Sequence, residues 1–312
     1  FNLYLKTVTG KIIKSIGVLR KLRFNVPRHS LITIYKSFIR SKLEYADVIF
    51  YQPSYDSFSD RLESIQYNSA LAITGAVRGT SKEKIYNELG LEYLSSRRWF
   101  KRLCLFYKIV YNKTPAYLRD IIPKQRHFRN TRNQYMIPQF FCRTVCFSNS
   151  FFPYSIREWN KLDRHITQID SFQTFRNTLL KSIRPVPNSI FDACDPLGIQ
   201  LLTRLRLGLS HLQDHKFKHG FNDVINPFCQ CNMEIESVSH FYLRCPNFST
   251  QRNDLMNELH NVNSSITDMD HSSLTDLLLF GNKSFTKEVN SKILEISIKF
   301  IKETERFDGP LF

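Results

Sequence analysis

Residues 95–112 read SSRRWFKRLCLFYKIVYN. Trp99, Phe100, Leu103, Leu105, Phe106 and Ile109 gather on one side of a helix, while Arg97, Arg98, Lys101, Arg102 and Lys108 gather on the other. Apolar residues at this spacing predict a helix that lays one face on a core. The opposite face is a row of cations, so the same stretch suggests both a helical fold and a polyanionic partner.

Working outward, the pattern repeats. Over 7–24, Ile12, Ile13, Ile16, Leu19 and Leu22 alternate with Lys11, Lys14, Arg20, Lys21 and Arg23, a second basic amphipathic helix. Leu31 to about Phe50 reads as one helix built on Leu31, Ile34, Tyr35, Phe38, Ile39 and Leu43, and Ser57 to Thr74 as another ending at Gly75. A short helix opens at Ser81 and closes at Gly90. Helices also follow near Ser155–Leu162, Ser171–Ile183 and 198–219, then near Phe248–Leu259, Leu274–Leu279 and Lys287–Phe300. In residues 123–155 the periodicity fails. There Arg126, Arg129, Arg132 and Arg143 interleave with Phe128, Tyr135, Phe140, Phe141, Phe147, Phe151 and Phe152. Such a loop suits phosphate contact with base stacking, or its aromatics cover a core.

Composition agrees with a folded, basic protein. The 312 residues are 42% hydrophobic and carry a formal charge of +16. Residues 1–220 hold 36 Lys and Arg against 15 Asp and Glu, net +21, whereas 221–312 hold 8 against 13, net −5. Neutralising phosphates releases counterions, so this asymmetry predicts RNA and/or DNA as partner. No run of eighteen apolar residues predicts a membrane span, and the first residues lack the order of a signal peptide. An intracellular protein of cytoplasm and nucleus is expected, and its start at Phe1 suggests a piece of something longer.

The seven cysteines include a cluster: Cys229 and Cys231 flank Gln230, His240 follows after eight residues, and Cys245 lies immediately before Pro246. Three thiolates and one imidazole close a tetrahedral shell, the arrangement of one structural zinc. The alternative is that the cysteines are buried apolar residues and His240 a satisfied polar one. His240 and Cys245 are five residues apart, about 140° around a helix, so the helix must stop between them, and Pro246 disfavours helical geometry at Cys245. Phe241 and Tyr242 are expected to present aromatic faces to unpaired bases. His211, His215 and His219 fall on one predicted helical face beside Lys216 and Lys218, with Arg204 and Arg206 upstream; they read as a phosphate-facing surface.

Catalytic signatures are sparse. The chain has no adjacent Asp-Asp pair, glycine-rich phosphate loop, GxSxG elbow or HExxH pair. Tyr45-Ala46-Asp47-Val48 looks like the start of a polymerase YADD box, but Val48 stands in place of the second Asp, within a helical pattern.

Several runs nevertheless resemble the region after the catalytic palm in LINE-type, non-LTR retrotransposon reverse transcriptases. They are LITIYKSFIRSKLEYADVIF (31–50), LESIQYNSALAITG (62–75), FPYSIREWNKL (152–162), RLRLGLS (204–210) and the terminal HFYLRCP (240–246). In that order they cover most of the chain. The resemblance implies a helical thumb gripping template and product, a connecting helical region, and a CCHC knuckle that helps engage RNA or target DNA. It further implies that fingers and palm, with the polymerase carboxylates, lie upstream of Phe1 in the same polyprotein, so no catalytic residue is assigned.

The resulting expectation is a mostly α fold, with thumb-like and linker helices followed by a small zinc knuckle and C-terminal helices. The expected regions are 1–122, a basic helical thumb-like region; 123–220, the Arg/aromatic loop and linker; and 221–312, the knuckle with an acidic helical tail. The metal ligands are Cys229, Cys231, His240 and Cys245. The nucleic-acid contacts are Lys11, Lys14, Arg20, Lys21, Arg23, Arg97, Arg98, Lys101, Arg102, Arg126, Arg129, Arg132, Arg204, Arg206, His211 and His215. The competing reading is a zinc-stabilised helical scaffold for protein interaction, derived from a degenerate or repurposed element.

Overall fold

The computed structural model describes residues 2–50, 56–124, 136–185 and 195–309. These are mostly helical, and their β pairing is one isolated antiparallel bridge between Phe228 and Ile235. No described helix is long and apolar enough to cross a membrane. The chain forms two compact units of interleaved segments: one of 1–39, 67–90 and 186–312, the other of 40–66 and 91–185. They therefore cut across the linear division expected from composition.

The second unit is built around the Leu94–Val110 helix. Its Phe100, Leu103, Phe106 and Tyr107 meet Ile156 and Trp159 of the Phe151–Trp159 helix and Phe175 and Leu179 of the Phe172–Ile183 helix. These positions recur every three or four residues, so one stripe serves both neighbours. Tyr107 stacks on Phe175 at 4.4 Å and its hydroxyl donates to the Ile169 carbonyl at 2.7 Å. At the helix start, the Glu63 carboxylate accepts from the Leu94 N–H at 3.0 Å, satisfying a donor that the helix cannot. Ser171 caps the Phe172–Ile183 helix by accepting from Thr174 N–H.

The expected helix from Leu31 to Phe50 is interrupted. A helix at Arg28–Ile34 widens into a π-helical turn at Tyr35–Arg40, resumes over Ser41–Leu43, breaks, and restarts at Asp47–Phe50. Ala46 occupies the left-handed region at φ 51°. In the second unit this break brings Glu44 and Asp47 to one cation, Lys101, at 2.9 and 3.1 Å. Tyr45–Val48 thus lies at a helix break, and its Asp47 is buried and committed to an ion pair. Burial raises the Asp47 pKa despite the Lys101 charge.

In the first unit, the Pro196–Leu207, Ser249–Val262, His271–Phe280 and Lys287–Glu303 helices share a core that includes Leu202, Leu205, Leu255, Leu259, Leu278, Ile293, Leu294 and Ile301. Asp195 starts the first of these by accepting from Leu197 and Gly198 N–H at 3.1 and 3.0 Å, with Pro196 at the position where a missing N–H costs least. Gly208 ends it at φ 74°, with Leu209 N–H returning to the Arg204 carbonyl at 3.1 Å, a Schellman cap. The single helix expected over 198–219 is therefore two, the second being Gln213–Lys218.

Gly75 is needed for a different reason. Its φ is +65°, and a Cβ there would lie 2.8 Å from Gln200 Cγ and 2.9 Å from Cδ. Gln200 is itself fixed, donating to the Arg23 and Pro196 carbonyls at 3.2 and 3.0 Å. Gly75→Ala should destabilise by about 2–4 kcal/mol, the sum of a left-handed backbone and an overpacked site. Urea unfolding would measure it; a loss below about 0.5 kcal/mol would show that Gln200 yields freely.

Candidate metal centre and basic surfaces

A tight turn carries the first two sulfur ligands. Cys229 N–H donates to Glu234 O and Glu236 N–H to Pro227 O, both at 2.9 Å, forming a small hairpin. Its tip needs a left-handed residue, supplied by Asn232 at φ 58°, a side-chain type that tolerates this conformation. Cys231 stands near that tip, separated from Cys229 by one residue, so the bend turns both sulfurs to the same side.

The other two ligands come from one π-helical turn, His240–Arg244. Cys245 N–H donates to the His240 carbonyl at 2.8 Å, and Cys245 leaves the helix with φ −61° and ψ 121°, the extended geometry favoured before proline. The wide turn closes the 140° gap that an α-helix would leave. All four ligand atoms lie within 4.8 Å of one another, with Cys229 Sγ to Cys245 Sγ at 3.7 Å and Cys231 Sγ to His240 Nε2 at 3.3 Å. This cluster can hold one metal ion.

The surroundings fit that role. Burial pushes the Cys229 thiol up to about 12 and also raises Cys245. Burial acts on Cys231 too, but bonds from the Met233 and Glu234 backbone and from the neighbouring thiols bring it below its ordinary value. A cation at the centre would favour all three thiolates. His240 Nδ1 is buried without a hydrogen bond and lies 3.5 Å from Glu234 Oε2, whose carboxylate pairs with Arg244 at 2.9 Å. Glu236, buried, accepts from Arg306 at 2.7 and 2.8 Å and from Gln213 N–H at 2.6 Å, tying the hairpin to two other segments of the same unit. Glu234 stood in view between Cys231 and His240 in the sequence. The Glu236–Arg306 pair, seventy residues apart, had no such signal.

Phe241 and Tyr242 do not face bases. Both are fully buried, Phe241 among Phe248, Phe300 and Phe307, and Tyr242 with its hydroxyl 2.9 Å from Ser297 Oγ. Their adjacency to His240 bolts the metal turn onto the core. The exposed apolar residues here are instead Ile225, Phe228, Met233 and Ile235.

The basic residues divide sharply. Lys11, Lys14, Arg20 and Lys21 are exposed on the Asn2–Leu22 helix, whose Ile12, Ile16 and Leu19 are buried. Arg97 instead pairs with Glu44 and Glu92, and Lys101 with Glu44 and Asp47. Arg98 and Arg102, expected on the surface, are 1% and 0% exposed. Arg102 donates to the Val48 and Asn149 carbonyls at 3.2 and 3.3 Å, and its guanidinium lies over the Tyr154 ring. Arg206 is buried and bonded to Glu88 at 2.9 Å. None of these three side chains is open to a phosphate.

His211 and His215 do not form a phosphate-facing surface: each is 7% exposed, and burial lowers the pKa of each to about 4, leaving neutral rings. His215 Nδ1 meets Ser210 Oγ at 2.8 Å, and His211 packs edge-on to Phe307. The second helix spans only Gln213–Lys218, so of the three histidines His215 alone lies within it and the three-histidine face does not form. Arg204 is half-buried with Nε donating to the Gly75 carbonyl at 2.9 Å. Arg126, Arg129 and Arg132 lie outside the described residues.

No protein family, curated protein or solved structure matches the chain.

Proposed function

We propose that this chain is a nucleic-acid-binding part of a non-LTR retrotransposon reverse transcriptase, downstream of its palm, stapled by one structural zinc. The observation that carries the binding role is the first helix. Lys11, Lys14, Arg20 and Lys21 line its exposed side, and none forms an ion pair among the described residues. Unpaired cations on a rigid helix attract a phosphate backbone without reading sequence.

Zinc is supported by chemistry and spacing. A tetrahedral zinc with Zn–S bonds of about 2.3 Å sets two sulfurs about 3.8 Å apart, and a sulfur and an imidazole nitrogen about 3.6 Å apart. The corresponding distances of 3.7 and 3.3 Å suit that shell. Four protein ligands leave no open position for substrate, so the ion supplies folding energy rather than chemistry.

Binding of a labelled single-stranded RNA, followed by anisotropy over a salt series, tests the reading. If the four exposed cations each neutralise one phosphate, log K should fall against log salt with a slope of about −3. No affinity at low salt for either RNA or DNA sinks it. A second reading, a protein-interaction scaffold of element origin, is favoured by the internal use of Arg97, Arg98, Lys101 and Arg102 and by the exposed Phe228, Met233 and Ile235. It expects partner binding that is insensitive to salt.

A further inference from the structure

A cavity of about 420 Å³ in the first unit is lined by Arg20, Arg23, Asn68, Leu71, Ala72, Ala76 and Arg78. Its wall holds three guanidiniums, one amide and no carboxylate. Arg204 adds a fourth positive charge close behind, near enough to Arg23 that the two repel. Among the described residues none of the four arginines forms an ion pair. Elsewhere in this unit the buried Arg28 and Arg206 pair with Glu88, and the part-buried Arg306 with Glu236. The cavity gathers its arginines without such a carboxylate.

Local structure holds these groups in place. Arg20 and Arg23 lie one turn apart at the end of the Asn2–Leu22 helix, and the Arg23 carbonyl is fixed by Gln200. Arg78 sits on the turn after Gly75. There the Tyr67 hydroxyl accepts from Gly79 N–H at 3.2 Å and donates to the Thr80 carbonyl at 2.7 Å, pinning the turn from both sides. Arg204 is anchored on the Gly75 carbonyl. Arg23 Nε is buried with no hydrogen-bond partner, and burial, then the Arg20 charge, lower the Arg23 pKa. Like charges gathered on a braced frame, with a donor left unmet, form a site whose missing component is an anion. Arginine's planar fork suits a tetrahedral phosphate, which accepts from several such forks at once. The guanidinium of Arg23 also lies over the half-exposed Phe24 ring, 4.7 Å from its centroid.

We infer that Arg20, Arg23 and Arg78 form a phosphate-binding pocket that grips one phosphodiester of a bound strand, with Arg204 reinforcing its field. This rests on the nucleic-acid reading and assigns it a fixed anchor, distinct from the diffuse cations further up the helix. Asn68 supplies a polar group on the same wall.

The test compares two charge-matched double variants of the full chain, Arg23→Gln with Arg78→Gln and Lys11→Gln with Lys14→Gln, by anisotropy with a labelled single-stranded oligonucleotide. The pocket pair should lose about 10- to 100-fold in affinity and flatten the salt slope by about 1–2, with only a few-fold loss in the control pair. Pyrophosphate should raise the melting temperature of the unmodified chain and not that of the pocket pair. Arg78→Gln alone, at an exposed position, should show the same direction without risk to folding. Equal losses in the two pairs overturn the inference while leaving general nucleic-acid binding intact. Failure of the unmodified chain to bind any oligonucleotide overturns the broader reading and the phosphodiester occupant with it. Pyrophosphate stabilisation that persists in the pocket pair overturns the pocket itself.

Discussion

Replacing Cys245 with Ser should strip the zinc and lower the melting temperature by roughly 10 °C or more, an effect that chelating the unmodified chain should reproduce. The hairpin bearing Cys229 and Cys231 has one isolated bridge and few backbone bonds of its own, so without the ion Cys231 is kept beside His240 chiefly by side-chain pairs, Glu234 with Arg244 and Glu236 with Arg306. His240 precedes Phe241 and Tyr242, both in the core, so a slackened metal turn is felt directly by Phe300 and Phe307. Structural zinc contributes about 10–16 kcal/mol in small isolated modules. Here part of that is replaced by packing, which leaves a loss of about 4 kcal/mol or more as the expectation. Cys104→Ser and Cys142→Ser, remote from the cluster in sequence, should keep one zinc per chain and serve as controls. Metal analysis finding no zinc in folded, reduced protein would refute the assignment, and so would a Cys245→Ser chain that melts like the parent.

The Cys/His cluster was legible because its four side chains lie within seventeen residues and their chemistry is rare in combination. The helices were legible for a similar reason, since Phe100, Leu103, Phe106 and Ile109 record in one stretch which side is buried. What the pattern misjudged was the fate of polar residues. Arg98 and Arg102 lie four apart and continue the buried line toward Phe106, yet a hydropathy scale marks both as outward. Arg102 is buried because carbonyls of Val48 and Asn149 and the ring of Tyr154 meet it there, all about fifty residues away in sequence. The break at Ala46 that turns Glu44 and Asp47 toward Lys101 has no glycine or proline to announce it. Long-range pairing of charges decides which cations stay free, and local periodicity carries no record of it. The same limit hid Arg78, which is unremarkable in its own turn and gains meaning only beside Arg20 and Arg23.

That dependence is strongest at Glu88. One carboxylate, buried in the first unit, receives Arg28 Nη1 at 2.7 Å and Arg206 Nη1 at 2.9 Å. Arg28 Nη2 also donates to Thr203 Oγ1 at 2.6 Å, and Arg206 donates to the Leu279 carbonyl. Three helices, Arg28–Ile34, Lys82–Leu89 and Pro196–Leu207, are thus joined through a single acid. Glu88→Gln leaves two guanidiniums buried against each other with no counter-charge, and should cost about 3–5 kcal/mol. Arg28→Met should cost less, because Glu88 retains Arg206 as its partner and the remaining pair is neutral. Burying a guanidinium is itself unfavourable, so replacing all three residues with apolar side chains of similar volume should recover most of the Glu88→Gln loss. Urea midpoints for the two single variants and the triple one give the ordering. If Glu88→Gln proves milder than Arg28→Met, the carboxylate is not the keystone of the cluster, and the charge balance that separates these buried arginines from the open ones around Arg23 fails with it.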